Sequence, residues 1–133
     1  MGGSILIVDD SASLRQVLRM ALEEAGYQVR EAADGQDALA RLAEAPADVV
    51  VSDLHMPRLD GLGLLRALAG EGSRPRIPVV MLTTSSERPE LREACMELGA
   101  SAWVLKLFPF DSRELRAVLA ALLHPSEQAG RFA

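Results

Sequence analysis

Short continuous apolar runs alternate along this chain with stretches in which apolar residues recur every three or four positions. Continuous runs of roughly 4–8 residues are typical of strands that are buried on both faces of a parallel sheet. The runs over residues 5–8, 49–52, 78–83 and 101–106 therefore predict four strands. Residues 28–32 alternate more like an exposed strand, which predicts a further strand at an edge of the sheet.

Helical periodicity separates these strands. After Ser11 the apolar residues follow the i, i+3, i+4, i+7 spacing of an amphipathic helix, and Gly26 closes that helix. Four further helices are predicted, marked by Ala38, Leu39 and Leu42, by Leu62, Leu65 and Leu68, by a segment that stops at Gly99, and by Leu115, Val118, Leu119 and Leu122.

Local signals predict where several helices begin. Asp34-Gly35 is typical of a turn before the second helix. Ser86 is the predicted N-cap of the fourth helix, which carries Pro89 in its first turn, where a missing amide hydrogen costs little. The spacing Asp111-x-x-Glu114 resembles a capping box that opens the last helix.

Strands that alternate with helices predict one doubly wound α/β domain, because right-handed crossovers place helices on both faces of a parallel sheet. A length of 133 residues suits a single domain. The net charge of −5 argues against nucleic acid and anionic membrane as partners. No apolar segment approaches the length of a membrane span, and the single cysteine, Cys95, cannot form an internal disulfide, so we expect a reduced, cytoplasmic protein.

Polar side chains follow four of the predicted strands. Asp9 and Asp10 follow the first strand and Asp53 the third, while Thr83 and Lys106 end the fourth and fifth. Each alone has a simpler interpretation as a helix cap, a turn residue or a solvated strand end. Parallel strands, however, bring their carboxyl ends to one edge of the sheet, where ligands bind in open α/β folds. We therefore expect these side chains to converge.

Three converging carboxylates repel one another unless a cation compensates them. Mg²⁺ prefers octahedral oxygen coordination, keeps several waters and typically takes one or two carboxylates together with phosphate oxygens. The sequence therefore predicts a Mg²⁺ site at Asp9 and Asp10, completed by a backbone carbonyl from the loop after Asp53.

The chemistry that suits this set is phosphoryl transfer to a carboxylate, which forms an aspartyl phosphate. Asp53 would be the nucleophile, and Lys106 and Thr83 would bind the oxygens of the transferred group. Most of the catalysis of such a transfer comes from positioning and electrostatic stabilisation.

Four segments in this order carry a family resemblance: Val8-Asp9-Asp10-Ser11, Ser52-Asp53-Leu54-His55-Met56-Pro57-x-x-Asp60-Gly61, Met81-Leu82-Thr83-Thr84 and Gly99-Ala100-Ser101-Ala102-Trp103-Val104-Leu105-Lys106. Together they resemble the receiver domain of two-component response regulators, closest to the single-domain chemotaxis (CheY-like) type. The resemblance covers about residues 4–123.

The resemblance implies a flavodoxin-like (βα)5 fold with strand order 2-1-3-4-5 and a receiver domain over residues 1–124. Pro125 ends the last predicted helix, and we expect residues 125–133 to form a flexible tail. It implies metal ligands at Asp9, Asp10, Asp53 and the backbone carbonyl of His55. Asp53 would accept a phosphoryl group from a histidine kinase.

The same resemblance implies how the signal is passed on. Thr83 and Trp103 would switch conformation on phosphorylation, and the face formed by the fourth helix, fifth strand and fifth helix would bind a downstream protein. The chain would act as a monomer and would not be an enzyme, apart from catalysing its own phosphoryl transfer and slow dephosphorylation.

One departure from the family pattern follows Lys106. The family usually has Lys-Pro-Phe with a cis peptide bond, whereas this chain continues Leu107-Phe108-Pro109-Phe110. If Leu107 replaced the proline, a cis bond would cost about 3–4 kcal/mol, so a trans bond and a re-aimed lysine would follow. We favour a two-residue insertion and a longer loop. The alternative function is a receiver-like docking module whose phosphorylation is impaired by this loop.

Two rival functions fit the sequence less well. A phosphohydrolase with an aspartate nucleophile places its nucleophile and acid as Asp-x-Asp after one strand, and no such spacing follows any predicted strand. A flavin or nucleotide carrier needs a phosphate loop rich in glycine, serine or threonine after the first strand, where this chain has two aspartates.

Overall fold

The structure, a computed structural model, describes residues 2–84, 88–106 and 111–124. Five strands and five helices alternate along these residues: β1 (Ser4–Val8), α1 (Ala12–Glu24), β2 (Gln28–Ala32), α2 (Gly35–Glu44), β3 (Val49–Ser52), α3 (Gly61–Ala69), β4 (Val79–Thr83), α4 (Pro89–Glu97), β5 (Ala102–Leu105) and α5 (Arg113–Leu123). All strand pairs are parallel, and the order is β2-β1-β3-β4-β5. The predicted fold class and strand order are confirmed.

The register of the sheet brings the strand ends level with one another. Val8 of β1 pairs with Ser52 of β3, and Ser52 pairs with Met81 of β4. The residues that follow Val8 and Ser52 therefore leave the sheet side by side, and these residues are Asp9 and Asp53.

Alternate residues of each strand point into two hydrophobic clusters, one on each face of the sheet. On one face Ile5 and Ile7 pack with residues of α1 and α5, among them Leu18 and Leu115. On the other face the intervening residues pack with α2, α3 and α4; this second cluster contains Leu6, Val8, Ala38, Leu64, Leu65 and Cys95. Burial on both faces explains why the central strands are continuous apolar runs.

Gly26 and Gly99 follow α1 and α4 with φ of +98° and +96°, a left-handed conformation that glycine adopts without steric cost. These two helix ends were predicted from the glycines. The strand predicted over residues 101–106 is shorter in the structure, where β5 covers Ala102–Leu105 and Lys106 follows it.

Three predicted helix starts are wrong in detail. The turn predicted at Asp34-Gly35 is the start of α2 itself: the helix begins at Gly35, and the Asp34 side chain caps it by accepting a hydrogen bond from the Asp37 amide. Helix α4 begins at Pro89 with Arg88 in the cap position, so Ser86, which lies outside the described residues, is not the N-cap. Pro89 does lie in the first turn, as predicted.

The predicted capping box at Asp111 is also wrong. Helix α5 begins at Arg113, and Ser112 occupies the cap position without a side-chain hydrogen bond. The Asp111 carboxylate instead accepts hydrogen bonds from the backbone and side chain of Arg113. A two-residue contact of this kind is a local alternative to a cap, and the capping-box spacing alone does not distinguish them.

The predicted insertion over residues 107–110 and the predicted tail over residues 125–133 lie outside the described residues. Among the helices that the structure describes, none has the length and apolar character needed to cross a membrane.

Candidate functional site

Asp9 is a buried carboxylate at the end of β1, with a residue exposure of only 2%. Its Oδ1 accepts a hydrogen bond of 2.8 Å from the amide of Ser11, the N-cap residue of α1. Its Oδ2 lies 2.9 Å from the Nζ of Lys106. Asp9 is therefore oriented by the start of α1 and by the Lys106 ammonium, which lies 97 residues further along the sequence.

Asp53 is half-buried at the end of β3. Its backbone amide donates to the Val8 carbonyl, and its Oδ1 accepts a hydrogen bond of 2.8 Å from the Leu54 amide. Its Oδ2 lies 3.3 Å from the Nζ of Lys106. Burial raises the pKa of Asp53 above its ordinary value; Lys106 opposes this shift and the charge of Asp9 adds to it. The ionised form of Asp53 is thus less favoured than that of an exposed aspartate.

Lys106 is the only lysine of the sequence. Its side chain is 8% exposed, and its amide donates to the Thr83 carbonyl, which continues the pairing of β5 with β4. The ammonium bridges Asp9 and Asp53, so the altered sequence after Lys106 has not re-aimed it away from the acidic residues.

The carboxylates of Asp9, Asp10 and Asp53 each offer an oxygen, and these oxygens all lie within 4.8 Å of one another. Asp10 is exposed, whereas Asp9 is buried. The Lys106 ammonium contacts two of the three carboxylates, so an excess of negative charge remains if all three are ionised. Hard oxygen donors at this spacing fit a divalent cation such as Mg²⁺. The fourth predicted ligand, the backbone carbonyl of His55, belongs to the loop between β3 and α3 and stays a prediction.

Thr83 is the last residue of β4 and is 1% exposed. Its Oγ1 is buried and has no hydrogen-bond partner among the described residues. A cleft of about 460 Å³ is lined by the carboxylates and by Lys106, and Thr84 rather than Thr83 lies in its wall. The unpaired hydroxyl is suited to donate to a bound oxyanion, but the predicted role of Thr83 requires a rearrangement at the end of β4.

Trp103 lies on β5, in register with Met81 of β4. It is partly buried and packs against the hydrophobic cluster under α2, α3 and α4. Its packing role is clear from these contacts, while its role as a switch stays a prediction.

Two arginines that shape this edge of the sheet were not predicted. Arg15 of α1 donates from Nη1 to the Asp9 carbonyl at 2.6 Å and pairs with Glu31 at 3.0 Å. Arg58, in the loop after Asp53, pairs with buried Asp34. The ion pairs Arg15–Glu31 and Arg58–Asp34 join residues 16 and 24 positions apart, and neither apolar periodicity nor a local motif signals them.

The doubly wound sheet carries, at its carboxyl edge, a cluster of carboxylate oxygens whose spacing fits a cation. The chain belongs to the response regulator receiver domain family, whose profile matches residues 5–120. It is therefore a receiver domain of the two-component response regulator type.

Two similarities show how broad this family is. The probable transcriptional regulator ycf27 of Porphyridium aerugineum is 38% identical over 125 residues, which are 94% of this chain and 50% of the relative. The chain thus spans about half the length of this relative. The solved structure of the chemotaxis response regulator CheY4 of Vibrio cholerae is 36% identical with a TM-score of 0.80, and covers 92% of this chain and 100% of that chain. Family membership alone does not specify the chemotaxis type.

The expectation that the chain is not an enzyme is corrected by a third similarity. Protein-glutamate methylesterase/protein-glutamine glutaminase 5 of Myxococcus xanthus is 48% identical over 104 residues, which are 77% of this chain and 29% of the relative. A receiver domain similar to this one therefore occurs within a protein named as an enzyme. The resemblance to single-domain regulators did not justify excluding enzymes.

Proposed function

We propose that this chain is a phosphorylation-activated switch that accepts a phosphoryl group on Asp53 from a histidine kinase and then changes its affinity for a downstream protein. The observation that carries the proposal is the bridging position of Lys106, whose Nζ lies 2.9 Å from Asp9 and 3.3 Å from Asp53. A cation in this position faces both the predicted nucleophile and the predicted metal ligands.

The proposed reaction is an in-line transfer. An Asp53 oxygen attacks phosphorus, the bond from phosphorus to the donor imidazole nitrogen breaks, and its electron pair stays on that nitrogen, which then takes up a proton. Lys106 stabilises negative charge on the transferred oxygens. Asp9 and Asp10 would hold Mg²⁺, which supplies positive charge to the same oxygens when bound. Because the pKa of Asp53 is raised by burial, this additional charge also favours its reactive, ionised form.

The alternative, a docking module with impaired phosphorylation, depends on a displaced Lys106. The short contact between Lys106 Nζ and Asp53 Oδ2 favours a functional phosphoryl site over this alternative.

For the output, we propose a chemotaxis-type regulator in the cytoplasm, whose downstream partner binds α4, β5 and α5. The match to the full length of a chemotaxis regulator supports this proposal, as do two exposed apolar side chains on α4 and β5, Met96 at 41% and Leu105 at 37%. A pull-down that compares activated and resting protein tests it. Retention of a DNA-binding or enzymatic partner instead of a chemotaxis component would contradict the chemotaxis assignment.

Phosphorylation is tested by incubating the purified protein with acetyl phosphate and Mg²⁺ and measuring its intact mass. We expect the gain of one phosphoryl group, dependent on Mg²⁺ and absent in Asp53→Asn. Asp48→Asn is the matched control, because Asp48 precedes the same strand at the opposite edge of the sheet, where its carboxylate binds Ser4. An unmodified wild-type protein would support the docking module, and continuous release of phosphate over many turnovers would support a phosphohydrolase.

A further inference from the structure

The loop that follows Asp53 contains a strained turn. Arg58 has a φ of +66°, whereas the other residues with positive φ in the described part of the chain are glycines. The Leu59 amide donates to the Pro57 carbonyl at 2.7 Å, across a single residue. A positive φ combined with this bond is the mark of the rarer form of γ-turn, which is strained for a residue with a side chain.

The side chain of Arg58 is held by a carboxylate from another part of the fold. Its Nε and Nη2 lie 2.7 Å and 2.6 Å from the Oδ2 of Asp34. Asp34 is 3% exposed, and its other oxygen accepts a hydrogen bond from the Asp37 amide at the start of α2. The Asp37 amide lowers the pKa of Asp34, and Arg58 adds to this effect. One buried carboxylate therefore caps α2 and binds the arginine of the turn at the same time.

A backbone contact reinforces the same junction. The Gly35 amide donates to the Leu59 carbonyl at 2.9 Å. A Cβ at Gly35 would lie 2.6 Å from that carbonyl oxygen, so the start of α2 and the loop are in close contact. At its far end the loop returns to β3, because the Gly61 amide donates to the Leu54 carbonyl at 2.8 Å. The loop is thus fixed between α2 and the residue that follows Asp53.

A strained backbone persists only when its surroundings enforce it, and such strain is concentrated at functional sites. We propose that Arg58 is a positioning residue whose ion pair with Asp34 enforces the strained turn and so sets the loop carbonyls, including that of His55, for a divalent cation bound by the acidic cluster. This inference rests on the proposed function of that cluster. Partners that orient metal ligands typically change metal affinity by about 10–100-fold when removed.

The test measures Mg²⁺ affinity by calorimetry in Arg58→Ala, in Asp34→Asn and in the double variant. Asparagine is a good N-cap, so Asp34→Asn removes the ion pair while α2 stays capped. We expect each single variant to weaken Mg²⁺ binding about 10-fold. Because both residues act through one contact, the double variant should lose about 10-fold as well, not the product of the two single effects.

Two further variants separate positioning from general stability. Arg58→Gly removes the ion pair but relieves the backbone strain, so it should fold at least as well as Arg58→Ala and still bind Mg²⁺ more weakly than the wild type. Arg41→Ala is the matched control, because it removes an ion pair to Asp37 on the same helix; its Mg²⁺ affinity should match the wild type.

Hydrogen exchange of the metal-free proteins provides a second readout. The amides of Gly35 and Leu59 should exchange faster in Arg58→Ala and Asp34→Asn than in the wild type and in Arg41→Ala. Unchanged Mg²⁺ affinity in Arg58→Ala and Arg58→Gly, or independent losses that multiply in the double variant, would overturn the inference and leave the proposed function intact. A wild-type protein that does not bind Mg²⁺ would overturn the proposed function and, with it, this inference.

Discussion

Lys106 stands out among single residues because one ammonium is shared by two carboxylates in a largely buried position. Its Nζ contacts Asp9, whose side chain is 3% exposed, and Asp53, whose side chain is 14% exposed. Apart from two histidines, the other basic side chains of the sequence are arginines. Lysine presents a compact point charge that two acceptors can share, whereas a guanidinium presents a planar fork.

Replacement of Lys106 by methionine should destabilise the metal-free protein. Removing one partner of a buried ion pair typically costs about 3–5 kcal/mol, because the remaining charges are left uncompensated. We expect a loss near the lower end of this range, of about 3 kcal/mol, since Asp10 and part of Asp53 are exposed to solvent. Urea unfolding in the presence of a chelator measures it.

Addition of Mg²⁺ should recover part of that loss, because the cation replaces some of the missing positive charge. Equal stability of Lys106→Met and the wild type in chelator would show that the ammonium does not compensate the acidic cluster.

The raised pKa of Asp53 predicts that the stability of the metal-free protein depends on pH. Burial is the main cause of its raised pKa, so the folded chain favours the protonated carboxyl more than the unfolded chain does. The contribution of Asp53 to stability is therefore present at low pH and is lost as pH rises through its pKa in the folded state. Asp53→Asn should be more stable than the wild type near neutral pH without Mg²⁺, by on the order of 1 kcal/mol.

This gain should shrink as pH falls through the raised pKa of folded Asp53 and should be absent below about 4, where the wild-type carboxyl is protonated in both states. Unfolding curves at several pH values, with chelator present, measure the trend. Asp48→Asn should show no gain, because Asp48 accepts a hydrogen bond of 2.8 Å from the Ser4 amide that asparagine can at best preserve. A gain for Asp53→Asn that grows toward low pH would contradict the assignment.

At the scale of elements, the start of α3 is packed against the strand that delivers Asp53. A Cβ at Gly61 would lie 2.7 Å from the Asp53 carbonyl oxygen and 2.7 Å from the Cε of Met81. We expect Gly61→Ala to cost about 2 kcal/mol through overpacking and to lower the rate of phosphorylation by acetyl phosphate, because backbone atoms of Asp53 must shift.

Gly63→Ala is the control within the same helix. Its Cβ would meet mainly the side chain of Leu59, with a closest distance of 2.5 Å to a terminal methyl group that can move. Alanine also has a higher helix propensity than glycine, so we expect a near-neutral change in stability and normal phosphorylation. Comparable losses in both variants would indicate a general sensitivity of α3 to added side chains.

The elements also show why one part of the site could be predicted from sequence and another could not. Apolar runs locate strand ends, and parallel pairing brings strand ends together, so Asp9, Asp53 and Lys106 could be placed at one edge without coordinates. The ion pair between Arg58 and Asp34 depends on the packing of the loop after β3 against the start of α2. The pattern of apolar residues does not predict that packing. Asp34 and Asp111 show a related limit, because a carboxylate near a helix start can form several local hydrogen bonds.

At the scale of the whole molecule, the acidic site exists only in the folded chain. Lys106 and Asp9 are 97 residues apart in sequence, and they meet because β1, β3, β4 and β5 lie side by side. The hydrophobic clusters on both faces hold those strands in register. A ligand that needs the assembled strand ends therefore binds the folded state and not the unfolded chain.

Such a ligand should raise the thermal stability of the entire domain by mass action. At a free concentration of 100 times its Kd, a ligand specific for the folded state adds about 2.7 kcal/mol to the free energy of unfolding. For a domain of this size the midpoint of thermal unfolding should then rise by on the order of 10 °C. We expect this shift with Mg²⁺ and beryllofluoride together, an analogue of the phosphoryl group, and a smaller shift with Mg²⁺ alone.

Asp53→Asn identifies where this stabilisation arises. Without the acceptor carboxylate the additional shift from beryllofluoride should disappear, whereas Asp48→Asn should retain it. The predicted binding site combines side chains at the ends of four strands. Loss of the rise in thermal midpoint in Asp53→Asn would therefore show that stabilisation of the whole sheet depends on the Asp53 carboxylate. If beryllofluoride stabilised the wild type and Asp53→Asn equally, it would have to bind elsewhere, and Asp53 could not be the phosphoacceptor.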